Sequence, residues 1–142
     1  MNFSSLKAVL VVICLTVCIE FAHPSIQTVL YKIEVVTSKE WGAGTDANVY
    51  IKIYGSLGNT DSIKLTKGGN QFEKGAHDEF VFVSKYVGNP ITKVEVMRDT
   101  KGLFDDWKLD KILVKSNAPI VYKFAFNAWI PPNKWIESYG GK

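Results

Sequence analysis

Cysteine is nearly missing from this chain, and its two residues, Cys14 and Cys18, both lie close to the N-terminus. The rest therefore carries no disulfide framework and no thiol nucleophile. Histidine is equally scarce, with His23 and His77 alone. No pair of histidines has metal-ligand spacing, and no Gly-x-Ser-x-Gly elbow occurs. His77 opens an extended segment in His77-Asp78-Glu79. It reads as a surface or hydrogen-bonding residue, because a general base needs a partner nucleophile. These absences argue against an enzyme. Charge of one sign is also lacking: the formal net charge is only +3. Nucleic-acid binding usually requires a concentrated basic face, so that class is set aside. Beyond Asn2 there is no Asn-x-Ser/Thr sequon, so no N-glycan is expected.

No apolar run is long enough to cross a bilayer comfortably. The longest, Ala8 to Ile19, follows Lys7 and falls short of the roughly 20 residues a spanning helix needs. A basic residue before a short apolar core is the pattern of a secretory signal peptide. Residues 1–22 are expected to be that signal, with cleavage after Cys18 or Ala22. The alternative is an uncleaved N-terminal anchor. Losing Lys7 and Glu20 leaves the balance at +3, an excess compatible with weak attraction to anionic membranes. About 115–120 mature residues suffice to bury a core without disulfides.

What is present is alternation. From residue 29 onward the hydrophobic period is two: Tyr31, Ile33 and Val35; Val49, Ile51 and Ile53; Ile63 and Leu65; Phe80 and Phe82; Val94 and Val96; Ile112 and Val114; Tyr122, Phe124 and Phe126. Turn clusters separate these segments, among them Gly58-Asn59-Thr60-Asp61, Lys67-Gly68-Gly69-Asn70 and Gly88-Asn89-Pro90. Seven or eight short strands without a helical segment predict an all-β antiparallel sandwich or barrel, with the sandwich preferred. Phe80-Val81-Phe82-Val83 is apolar on both faces, which predicts a well-covered central strand. Trp107 and Trp129 fall in strand-like segments and are assigned to the core. Pro131 and Pro132 stop the last strand, so residues 132–142 read as a loosely packed tail.

The most informative stretch is residues 40–55. Trp41 and the bend Gly42-Ala43-Gly44 lead through Asp46 into a half-buried strand, where Tyr50, Lys52 and Tyr54 take the outer face. A loop that delivers a carboxylate and an aromatic to the tip of a rigid sheet suits binding.

Four segments resemble the signatures of one family, the PLAT or lipoxygenase homology domain. They are Lys39 to Ile51, Phe72-Glu-Lys-Gly-Ala-His-Asp-Glu-Phe80, Trp107-Lys-Leu-Asp-Lys-Ile112 and Tyr122 to Ile130. The resemblance covers about residues 29–130 with the signatures in order, and places the domain at 28–131. The family often has a cysteine near the position of Phe126, absent here. The resemblance implies an antiparallel eight-stranded β-sandwich of two four-stranded sheets. It also implies a calcium-assisted module that binds membranes or proteins, usually attached to an enzyme such as a lipoxygenase or lipase.

On that resemblance the loop at 41–46 meets the turn Gly102-Leu103-Phe104-Asp105-Asp106. The matching Ca2+ ligands are Gly42, Ala43 and Asp106 for one ion, with Asp46 and the carbonyl of Leu103 for a neighbour. Gly44 and Asp105 belong to the same two turns. A further site matches Asn70, Gln71 and Glu73, with Gln71 where relatives often carry aspartate. Residue types alone leave the plainer reading open: Asp46 accepts N–H bonds within its own turn, and Asp105 and Asp106 are simply solvated. Trp41 matches a membrane-inserting residue of some lipoxygenases. Gly102 stands where one relative has a second tryptophan, so Leu103 and Phe104 are the candidate lipid contacts beside Trp41. The alternative for Trp41 is to fold back on the sandwich edge.

The expected function is a secreted, monomeric, non-enzymatic module that binds a membrane or lipid surface with calcium. A second reading is an extracellular interaction module docking onto a partner such as a lipase-like enzyme, through Tyr50, Lys52 and Tyr54. A third is a secreted effector or gland product acting on another organism.

Overall fold

The computed structural model describes residues 24–141. The expected signal segment, with Cys14 and Cys18, lies outside these residues. Nine strands follow one another without a helix: β1 (Thr28–Thr37), β2 (Val49–Gly55), β3 (Gly58–Asn59), β4 (Ile63–Leu65), β5 (His77–Lys85), β6 (Ile91–Arg98), β7 (Lys108–Lys115), β8 (Val121–Trp129) and β9 (Ile136–Tyr139).

They form two antiparallel sheets packed face to face. One has the order β5-β1-β7-β8. The other has the order β3-β2-β6-β9, with β4 also paired to β2. The period-two pattern is the reason. Tyr31, Ile33, Val35, Val49, Ile51, Ile53, Val94, Val96, Ile112, Val114 and Phe124 share the interior with Trp107 and Phe72. Each large aliphatic or aromatic side chain buried this way contributes about 1.5–3 kcal/mol. A β-sandwich is thus the packing solution for these half-apolar ribbons.

The second sheet has five strands rather than four. β3 and β4 are two short pieces along one edge of β2, pairing with Tyr54–Gly55 and Val49–Ile51 respectively. β9 comes from the segment expected to be loose. It pairs with β6 from Val96↔Ile136 to Lys93↔Tyr139. Ser138 is buried there, and its hydroxyl donates to the Ala125 carbonyl at 2.6 Å, tying this strand to β8 of the other sheet.

Two further expectations are corrected. β5 is an edge strand, not a central one, and its outward Val81 and Val83 are 55% and 65% exposed. Apolar residues on both faces do not show what covers the outer one. Trp129 is 47% exposed. The parity that turns Tyr122 and Phe124 inward turns it out. Trp107 is fully buried as expected, with its indole N–H donating to Thr37 Oγ1 at 3.1 Å.

Candidate functional site

The loop before β2 and the loop before β7 meet at one end of the sandwich. The Asp46 N–H donates to the Phe104 carbonyl at 2.7 Å, and the Thr45 hydroxyl donates to the Asp105 carbonyl at 2.7 Å. Gly102 allows this approach. A Cβ there would lie 2.6 Å from Asp46 Cβ and 3.1 Å from its carbonyl oxygen, and the backbone sits at φ +96°. Only glycine meets both conditions without strain. No side chain fits at this position without displacing Asp46. Gly44 has a similar role on the other side, where a Cβ would come within 2.9 Å of the Lys74 amide nitrogen.

The apolar tips point to solvent. Trp41 is 89% exposed, Leu103 90% and Phe104 74%. Large side chains in such exposure are costly to leave wet unless something covers them in use. All three line one open groove with Gly42, Gly44, Asp105, Asp106 and Trp129. Trp129 is the member of this aromatic wall that its strand pattern had assigned to the core. Its odd position in β8 was the available signal.

The acids divide. Asp105 and Asp106 face this groove, whereas Asp46 lines a second one with Asn70, Gln71, Glu73 and Lys64. The two loops are therefore interlocked, yet Asp46 and Asp106 border different grooves. In the second groove Gln71 donates its side-chain amide to the Lys67 carbonyl at 2.6 Å, which leaves its oxygen free. That turn is built on Phe72, at φ +59°, whose N–H donates to the buried Asp78 carboxylate at 2.8 Å. Lys67 lies 2.7 Å from the other Asp78 oxygen.

A buried arginine holds the first acidic pair. Arg98 is 4% exposed and ends β6 on its inward face, after Val94 and Val96. Its Nε donates to the Ile130 carbonyl at 2.7 Å. Its Nη1 reaches Asp105 Oδ2 at 3.3 Å, and its Nη2 reaches Asp106 Oδ1 at 3.1 Å. A charge at an inward position signals a fixed partner, and here the partners are the site acids. Next to it, Asp99 accepts from the Asn48 N–H at 2.9 Å and the Asn48 side-chain amide at 2.7 Å. Partial burial acts to raise the Asp99 carboxyl, but the Asn48 amide and the Lys101 and Asn48 N–H groups outweigh it and hold the pKa below its ordinary value. Glu40 pairs with Lys108, whose ammonium also stands 5.9 Å from the Trp129 ring centre.

The donor chemistry of the first groove suits calcium in kind: carboxylates and backbone carbonyls, with neither imidazole nor thiolate. Its capacity is modest. Arg98 already engages one oxygen of each carboxylate, and the Ala43 carbonyl accepts the Lys108 N–H at 3.0 Å. Among the described residues no three His, Cys, Asp or Glu side chains gather as a metal cage. What remains open toward this groove is one carboxylate oxygen each on Asp105 and Asp106, so a cation there would need water or backbone carbonyls to complete its shell. His77 lies elsewhere, with Nδ1 2.5 Å from Glu34 Oε1 on the exposed face of β1 and β5.

Known proteins share this architecture. The mouse lipoxygenase homology domain-containing protein 1 is 37% identical over 101 residues, covering 70% of this chain and 5% of that protein. The allene oxide synthase-lipoxygenase protein of Plexaura homomalla is 34% identical over 112 residues, covering 75% of this chain and 10% of that protein. The chain thus spans a small part of each relative's length. Among solved structures, a coral 8R-lipoxygenase described as calcium-activated via a C2-like domain superposes with a TM-score of 0.73. It shows 32% identity over 80% of this chain and 17% of the lipoxygenase. The family profile described as the PLAT/LH2 domain matches residues 31–138. On its sequence and its sandwich, this chain belongs to the PLAT/LH2 domain family.

Proposed function

We propose that this chain is a secreted, non-catalytic module that attaches to lipid surfaces through Trp41, Leu103 and Phe104, with calcium assistance. One observation carries the reading: three large apolar side chains, each about three-quarters exposed or more, share one groove on two interlocked loops. Tryptophan favours the boundary between headgroups and acyl chains, and Leu and Phe reach below it. The likeness to a lipoxygenase described as calcium-activated through such a domain supports the cation's part.

Asp106 and Asp105, with backbone carbonyls of Gly42, Gly44 and Leu103, would hold the ion in the first groove. Asp46, Asn70, Gln71 and Glu73 would do so in the second. Bound there, calcium supplies positive charge beside carboxylates that otherwise repel anionic headgroups. The chain's own residues do the rest. Gly102 and the Asp46–Phe104 hydrogen bond keep the tips together, and Arg98 holds the acidic turn against the sandwich.

Co-sedimentation with phosphatidylserine-containing vesicles tests this, in calcium and in chelator, for wild type and Trp41→Ala. Wild type is expected to pellet more in calcium, and Trp41→Ala to lose about tenfold in vesicle affinity, from the apolar burial of one large ring. Equal pelleting in all four conditions sinks the mechanism.

A second reading rests on the outer face of the β2–β6–β9 sheet. Lys52 lies 4.1 Å over the Trp135 ring, Lys93 lies 4.1 Å over the Tyr54 ring, and the Tyr54 hydroxyl donates to Glu95 at 2.5 Å. With Tyr50, this ordered patch suits a protein partner. Capture of one stoichiometric extracellular partner without vesicle binding would favour it.

A further inference from the structure

The edge at β5 is unlike the other borders of the two sheets. β8 carries a register irregularity opposite Leu109–Lys111 and a left-handed Asn127. It is also overlaid near its middle by the Ser138 hydroxyl and the Lys123↔Gly141 bridge. β3, β4 and β9 are two, three and four residues long. β5 runs nine residues without proline or bulge and pairs only with β1 among the described strands. Long flat edges invite another strand, and proteins usually blunt them.

The geometry points to a second copy of this chain as the occupant, joined β5 to β5 in antiparallel register about a two-fold axis at Phe82. The sequence of β5, His77-Asp-Glu-Phe-Val-Phe-Val-Ser-Lys85, is self-complementary in that register. Glu79 falls opposite Lys85 of the second copy, and Lys85 opposite its Glu79. Val81 and Val83, both exposed, fall opposite each other on the outer face. On the inner face Phe82, only half-buried at the rim and 5.8 Å from the Tyr31 ring, meets its symmetry mate. Directly opposed residues share a face in an antiparallel pair, so all three matches arise together. A shift by two residues sets Glu79 against Val83 and loses them. Lys85 makes no ion pair among the described residues, while Glu79 meets Lys32 at 3.0 Å on an exposed surface, an arrangement of little strength. Both charges are thus available. The product is one eight-stranded sheet across two sandwiches, with the isologous symmetry most homodimers adopt. On this proposal the chain is a concentration-dependent pair rather than the monomer expected from sequence.

Sedimentation equilibrium of the full chain, from low micromolar to several hundred micromolar, is the test. Wild type is expected to show a reversible monomer–dimer equilibrium. Val83→Lys should abolish it while leaving the melting temperature unchanged. Glu79→Lys or Lys85→Glu alone sets like charges opposite at two places and should weaken dimerisation about tenfold. The double variant Glu79→Lys/Lys85→Glu should restore it to within about threefold, because the pairs re-form with signs exchanged. A wild type that stays monomeric throughout overturns the proposal. So does a dimer indifferent to Val83→Lys, or charge variants whose combination fails to restore what each removes.

Discussion

At the scale of single residues, Arg98 does the most for the tip. It joins the end of β6, the carbonyl of Ile130 after β8, and both acids of the turn before β7. Arg98→Met removes the donor to a buried carbonyl and frees two carboxylates into water. Asp106 is largely solvated and Asp105 partly so, and they tolerate this better than a fully buried pair. The expected cost is therefore about 2–3 kcal/mol, below the 3–5 typical of breaking an enclosed ion pair. Chemical denaturation measures it; a change under about 0.5 kcal/mol would mean the guanidinium is ornamental there. Arg98 was readable in principle, since it continues the inward parity of Val94 and Val96. Its partners were not, because Ile130 lies far along the chain and alternation carries no information on which loop meets which strand end. Gly102 was readable as a turn residue. That it touches Asp46 was not, since that contact depends on the closing of two distant loops.

At the scale of elements, alternation located the core of β1, β2, β6, β7 and β8 because each buries mainly one face, β1 departing from this only at its end, where Val35, Val36 and Thr37 are all buried. It failed where that premise failed. β5 is apolar on both faces, one of them open, so composition resembled a central strand while topology made it a border. β9 was hidden by Pro131 and Pro132, which end β8 and leave a short segment with one apolar and three polar or amphipathic residues. Its place is secured by Ser138 and by Gly140, where a Cβ would meet Phe124 Cε1 at 2.6 Å. Ser138→Ala should cost about 1 kcal/mol, the usual loss of one buried hydroxyl hydrogen bond. Hydrogen exchange should show the amides of β9 and the facing edge of β6 loosening, while β1 stays protected. Uniform loosening across both sheets would contradict a local role for this strand.

At the scale of the molecule, charge sets the acid limit. Burial acts to raise both the Glu95 and the Asp99 carboxyls, but hydrogen bonds outweigh it: from Tyr54 and Lys93 to the first, from Asn48 and the Lys101 N–H to the second. Both folded-state values therefore lie below the ordinary ones. Stability from a lowered carboxylate is present above the unfolded pKa and is lost as pH falls through the folded value. The melting temperature is expected to hold from neutrality into mild acid, then to fall below the ordinary carboxylate range. Asn48→Ala should start lower at neutral pH and show a shallower acid decline, because Asp99 then loses the side-chain amide that does most to lower it and keeps only the N–H donors of residues 48 and 101. Parallel curves for the two proteins would remove Asp99 from the account.

The strand order of the first sheet has a consequence for how the chain is made. β1 is synthesised first yet sits between β5 and β7, so its two neighbours begin only at His77 and Lys108. Pairings this distant along the chain form slowly, and a nascent chain grows at about 5–20 residues per second. The emerging polypeptide therefore carries Tyr31, Ile33 and Val35 on a ribbon with no sheet partner until β5 has been made, and open along its other edge until β7 follows. The Trp41 loop likewise waits for the Asp105–Asp106 turn before it has anything to lock against. The sandwich is complete only once β9, the last of the described strands, has been made and paired with β6.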